Sequence, residues 1–234
     1  MILHITPDDK FIDMALRVFE IAKPGGNHCF VVSDKKQLTY IKNKTAVIIA
    51  KDIISTSTFE NSLLKYDAIV IHCLSHLNIK LPKAIKVAWI GWGADYYDLI
   101  YNSKLDLLEN KTRQLILTIN RKRDTRFTRL VKSIPYLEFC FRKLQQKRKF
   151  KLINEKIDYF LPVLADEFYL ISKSRVKFKP KFLDWNYGTL ENDLLKGFET
   201  ASCTSTNILI GNSAAHSNNH MEAFELLGDL NIKG

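Results

Sequence analysis

Glycine and proline are scarce in this chain, nine and six in 234 residues, which excludes a collagen-like or linker-like polymer. Cysteine is scarcer still: Cys29, Cys73, Cys140 and Cys203 lie far apart in the chain. Such spacing makes neither a CxxC metal knuckle nor a dense disulfide framework, and it fits small buried thiols in a reducing compartment. No apolar run approaches the ~18 residues that a membrane-spanning helix needs. The opening Met1-Ile2-Leu3-His4 is not a basic segment followed by an apolar one, so no secretory signal is expected. After the first apolar run stands Thr6-Pro7-Asp8-Asp9 rather than a glycine fingerprint, which argues against an NAD- or nucleotide-dependent Rossmann enzyme. Internal repeats, low-complexity segments and metal-ligand clusters are also lacking, so no metal site and no cofactor are expected.

What is present describes a packed protein. Hydrophobic residues make up 46%, charged residues 26% and aromatics 11%, which excludes wholesale disorder. At about 100–200 residues per domain, the length allows one large domain or one and a half. The net charge of +10 is concentrated. Between Arg121 and Lys151, twelve basic residues face two acids, and this window carries the whole excess. Phe127, Leu130, Val131 and Ile134 fall at helical spacing there, and Leu137, Phe141 and Leu144 continue it past Pro135, which is expected to break or kink the segment. Two readings stay open: a surface helix packed on its own domain, or a peripheral contact with an anionic membrane through Arg142, Lys143, Lys147 and Arg148. Nucleic acid is not an expected partner, since the aromatics follow the helical stripe and no recognition motif accompanies them.

Along the chain, short apolar runs alternate with helical stretches. Strands are expected at 1–5, 29–32, 46–50, 68–74, 87–92 and 157–162, with a further short extended piece at 182–185. Helices are expected over 11–22, 59–65, 96–99 and 164–171. The runs are near-continuously apolar rather than alternating, the mark of a parallel sheet covered on both faces. The fold class is therefore α/β, a Rossmann-like parallel sheet. Residues 1–180 are expected to form it, 181–206 to link, and 207–234 to begin a second α/β domain with one strand–loop–helix unit.

Open parallel sheets bind ligands at the carboxyl ends of their strands. His72 closes the fourth strand, with Ser75 and His76 after it; it is either a histidine satisfied by backbone or a proton acceptor. Gly91-Trp92-Gly93-Ala94-Asp95 follows the fifth strand and permits a tight turn. Asp95 is expected either as the N-cap of the next helix or as a general base. The run from Gly211 to His220 opens a helix and suits a phosphate or diphosphate, although a structural turn capped by Ser217 or Asn218 explains the residues nearly as well.

Two of these runs carry a resemblance. Trp92-Gly93-Ala94-Asp95, with Tyr97 and Leu99, resembles the W-G-A-D segment of the bacterial 4-acetamido-4,6-dideoxy-D-galactose transferases of enterobacterial common antigen synthesis. Ile208-Leu209-Ile210-Gly211-Asn212-Ser213, with Ser217, Asn218 and His220, resembles that family's G-N-S-x-x-x-S-N-x-H segment. His4, His72 and the basic run 142–148 match more weakly in the same order. Ala215 and His216 depart from the acidic and basic residues expected there. The resemblance implies a GT-B glycosyltransferase that moves a deoxyamino sugar from a dTDP-sugar to a polyprenyl-diphosphate-linked saccharide at the cytoplasmic face of the membrane. It implies catalytic roles for Asp95 and His72, and acceptor-side roles for His4, Trp92 and Gly93. Gly211, Asn212, Ser213, Ser217, Asn218 and His220 would contact donor phosphate. Family members continue through most of a second domain, so a truncated enzyme is expected; the alternative is a non-catalytic fragment that binds a membrane surface.

Overall fold

The structure, a computed structural model of the chain, describes residues 1–76, 78–101, 104–123, 135–174, 177–188, 208, 210 and 218–230. Seven strands form one parallel sheet: β1 (Ile2–Thr6), β2 (Asn27–Val32), β3 (Val47–Ile49), β4 (Ala68–His72), β5 (Lys86–Ile90), β6 (Tyr159–Leu161) and β7 (Lys181–Phe182). Their spatial order is β3-β2-β1-β4-β5-β6-β7. The chain winds outward from β1 in one direction, then returns and winds outward from β4 in the other. This is a Rossmann-like sheet, and its order reverses between β1 and β4.

Helices follow from local chemistry. In α1 (Ile12–Ala22), Ile12, Ala15 and Leu16 are buried, and the helix runs out at Lys23-Pro24-Gly25, where Gly25 takes φ +66°. The Thr56 hydroxyl accepts the Phe59 N–H at 3.1 Å and caps α2 (Ser57–Ser62). α3 (Tyr97–Ile100) follows the Gly91–Asp95 turn, and α4 spans Asn110–Arg123. α5 (Pro135–Lys156) starts on its proline, whose missing N–H costs nothing in a first turn. Pro135 thus opens a helix of 22 residues, and the expected apolar residues 127–134 lie outside the described ones. α6 spans Ala165–Ser174 and α7 His220–Asp229.

The chain divides into two compact units, Met1–Ile100 with Gln146–Phe198, and Tyr101–Gln145 with Glu199–Gly234. The first unit holds the whole sheet. The excursion 101–145, which the sequence reading left inside the first domain, groups with the C-terminal residues.

Alternation along the strands gives the sheet two unlike faces. Leu3, Ile5, Ile69, Ile71, Val87, Trp89 and Phe160 point into one core, closed by Phe59, Leu99, Ile153 and Ile171 from α2, α3, α5 and α6 and by Leu63 just after α2. The opposite face presents Cys29 and Val31 to α1, and Val70, Ile90 and Leu161 to Phe19, Trp92, Trp185 and Tyr187. Trp185 and Tyr187 belong to an extended strap that follows β7. On this second face, among the described residues, the strap and α1 cover the strands.

Candidate functional site

His4 and His72 meet on that second face, at the point where strand order reverses. Register sets His4 opposite Val70, so His72 at the end of β4 is its diagonal neighbour. His4 Nδ1 lies 2.9 Å from His72 Nε2, and both rings are fully buried. On its other side, His4 Nε2 lies 3.4 Å from Asn27 Oδ1. Asn27 Nδ2 donates to Glu20 Oε2 and to the Lys23 carbonyl, each at 2.8 Å. Burial drives the His4 pKa down to about 4, opposed by the Asn27 hydrogen bond. Burial, then the neighbouring His4, holds His72 well below the usual imidazole range. Both rings are therefore neutral at pH 7. His72 Nδ1 is buried and has no hydrogen-bond partner.

The Gly91–Asp95 turn is built by close packing. A Cβ on Gly91 would fall against the Tyr96 ring and 2.9 Å from Phe160 Cε2, and Gly93 takes φ +76°. Asp95 sits under this turn, almost completely buried. Its Oδ1 accepts the Trp92 N–H at 2.7 Å, and its Oδ2 accepts the Leu74 N–H and the Trp89 indole N–H, both at 2.8 Å. The expected bond to a free N–H of the following helix is not among these partners. Asp95 instead ties the exit of β4 to β5 and the turn. Burial raises its pKa, and the three donors pull the other way. The clamp also holds Cys73, which takes φ +61° one residue after His72. That conformation explains why β4 stops at His72 and not at Leu74.

Trp185 and Tyr187 are residues the sequence reading passed over. Trp185 stacks on Phe19 at 4.9 Å, Phe19 meets the His4 ring at 4.6 Å, and Tyr187 lies 5.7 Å from Phe11. Burial raises the Tyr187 pKa; the Trp92 indole beside its hydroxyl opposes this, and Asp95 and Asp9 add to it. Trp185 Nε1 is buried without a hydrogen-bond partner, like His72 Nδ1. The only sequence signal was two aromatics at period two after Pro180, which reads equally as an edge strand. A shallow crevice also opens at the carboxyl edge, toward the other face, between Thr6, Pro7, Ser75, His76 and Ile79.

The other expected sites divide. In the second unit, α7 starts after Asn219, whose side-chain oxygen accepts the Glu109 N–H at 3.0 Å. Glu222 accepts the N–H groups of Lys111 and Thr112 at 2.6 and 2.9 Å and so caps α4. His220 begins α7 with its ring 6.3 Å from Phe224, and Asn218 precedes it. Gly211, Asn212, Ser213 and Ser217, which the sequence reading expected at donor phosphate, lie outside the described residues. On α5, Lys143, Lys147 and Arg148 are exposed, as are Phe139, Phe141 and Leu144. The Arg142 side chain lies outside the described ones. Lys149 is buried, with Nζ 2.7 Å from Asp98 Oδ1, so it belongs to the packing of α5 on α3 and not to a free patch.

Among the described residues, no three His, Cys, Asp or Glu side chains are grouped to hold a metal ion, and no helix is long and apolar enough to cross a membrane. Fold and site together define a Rossmann-like α/β protein with a neutral, buried histidine pair at the reversal of strand order. No protein-family model matches the chain, and searches of curated proteins and of solved structures returned no match either.

Proposed function

We propose that the protein is a glycosyltransferase, its first unit the acceptor side, that moves a deoxyamino sugar from a dTDP-sugar to a polyprenyl-diphosphate-linked saccharide. One observation carries the reading. Three segments that resemble the transferase family, at His4, at His72 and at Trp92–Asp95, are remote in sequence yet meet at the carboxyl edge of the sheet beside the β1/β4 reversal. In the reaction, the acceptor hydroxyl oxygen bonds to the anomeric carbon of the donor. The bond from that carbon to diphosphate breaks, dTDP leaves with the electron pair, and the hydroxyl proton passes to a base. Of the two candidate bases, His72 keeps an unpaired ring nitrogen, whereas the Asp95 carboxylate already meets three donors. His72 takes the proton in this reading, and Asp95 fixes the turn around it.

The exposed cations and aromatics of α5 support an anionic membrane as the surface on which a lipid-linked acceptor is met. The same feature favours the second reading, a non-catalytic membrane-binding fragment. Incubation with dTDP-4-acetamido-4,6-dideoxygalactose and a polyprenyl-diphosphate disaccharide, followed by mass spectrometry, separates the two. Acceptor extended by one sugar together with released dTDP supports transfer. Sedimentation with phosphatidylglycerol vesicles without either product leaves the binding fragment.

A further inference from the structure

We infer that the face beneath the Trp185–Tyr187 strap is a binding site for a neutral sugar ring, with His72 Nδ1 as the acceptor of a sugar hydroxyl and His4 as the residue that positions it. The inference uses the transferase reading only to say which saccharide arrives; the pocket chemistry stands apart from it.

Proton placement follows from one amide. Both donors of Asn27 Nδ2 are engaged, by Glu20 and by the Lys23 carbonyl, so Oδ1 faces His4 Nε2 and that nitrogen carries the proton. His4 is neutral, so its Nδ1 is a lone pair, and the 2.9 Å contact requires the proton on His72 Nε2. His72 is neutral in turn, and its Nδ1 is left as a bare acceptor with no partner and no exposure. A buried polar group without a partner costs about 1–3 kcal/mol, and native proteins carry few of them.

Here they are gathered. Beside His72 Nδ1, the buried Trp185 indole N–H has no acceptor, and the Tyr187 hydroxyl, which the Trp92 indole faces, has no acceptor for its own proton. The two indoles only donate, the imidazole nitrogen only accepts, and the phenol does either. A ligand that satisfies the remaining three must both accept and donate. A metal ion or an ammonium cannot accept from an indole N–H. A fully ionised phosphate ester group has no proton to donate to His72, and Asp95 and Asp9 stand near enough to Tyr187 to disfavour an anion. A polyol with apolar C–H faces meets each requirement, and the rings of Phe19, Trp185 and Tyr187 offer it flat apolar surface. The strap reaches the site from its last ladder bond, Leu183 N–H to the Phe160 carbonyl at 3.1 Å, and from there it rests on ring contacts. Its displacement opens the way to His72.

The test is a titration of the isotope-labelled protein with methyl glucoside and N-acetylglucosamine as neutral probes and glucose 6-phosphate as the charged one. Two-dimensional NMR follows the indole N–H resonances and the His72 ring nitrogens. The neutral sugars shift Trp92, Trp185 and His72 Nδ1 together and saturably, and the phosphate ester binds more weakly. Tyr187→Phe, which deletes one hydroxyl and leaves the fold intact, weakens binding about three- to tenfold. His4→Phe, which removes the fixed tautomer, moves the His72 nitrogens and weakens binding further, while His4→Gln restores part of both. Resonances indifferent to every sugar, with only water cross-peaks at the indoles, mean a hydrated cluster and overturn the inference, as does unchanged affinity in Tyr187→Phe. Sugar binding without transfer leaves this site standing and removes the transferase reading. Transfer with an acceptor KM unchanged in Trp185→Phe and Tyr187→Phe does the reverse.

Discussion

The two faces of the sheet are made from the same strands and could hardly differ more. The face of Leu3, Ile71, Trp89 and Phe160 is aliphatic and aromatic, covered by helices, and its polar groups are met: the Trp89 indole by Asp95, the Tyr96 hydroxyl by Glu167 and the Tyr66 hydroxyl by His28. The face of His4, Val70 and His72 is covered by a single helix and a strap, and it leaves His72 Nδ1 and Trp185 Nε1 buried without partners. Stability is invested in the first face and left unspent on the second. A sheet with one finished and one unfinished face is what a binding scaffold requires, because unpaired groups cost stability until a ligand satisfies them.

The contrast can be broken most severely on the finished side. Trp89→Ala removes a fully buried ring that lies 4.4 Å from Phe160 and deprives Asp95 of a donor; a loss of about 3–5 kcal/mol in urea unfolding is expected. The next effect is proton linkage on the unfinished side. Because folded His4 binds its proton near pH 4 and an unfolded histidine near 6.5, the unfolded chain holds more protons between those values. Stability is therefore full above pH 6.5 and falls as the pH drops toward 4, by roughly 3 kcal/mol from His4 alone, with His72 acting in the same direction. Urea midpoints measured across that range, in the protein and in His4→Gln, check it: the variant has the flatter profile. Asp95→Asn comes third. It sets an amide N–H against one of three donors, and about 1–3 kcal/mol is lost, with Cys73 and Leu74 amide protons exchanging faster. Tyr187→Phe is smallest, within about 0.5 kcal/mol and of either sign, since the hydroxyl it removes faces only the Trp92 indole and leaves its own proton without an acceptor.

The finished face was legible in the sequence, because near-continuous apolar runs and punctuation such as Lys23-Pro24-Gly25 report strands and turns directly. That the sheet is parallel followed from the same pattern, whereas the strand order around β1 came only with the fold. Asp95 shows where that legibility ends. Its position before a helix suggested a local cap, but its partners are Leu74, 21 residues back, and the Trp89 indole, and no periodicity encodes a contact of that range. His72 was recognised by its place at a strand end. Its pairing with His4, 68 residues away, needed the β1–β4 register. The strap was missed because 182–185 read as one more short extended piece, which ended on Trp185 and left out Tyr187, and only the fold reveals which face the two cover.

Nitrogen-15 NMR of the histidine side chains, with His72 assigned by comparison with His72→Gln, bears most directly on the neutral pair at the reversal of strand order. The expected spectrum has His72 protonated at Nε2, bare at Nδ1, and still neutral where exposed histidines have become charged. A proton on Nδ1, or an imidazolium at pH 6, would contradict the account.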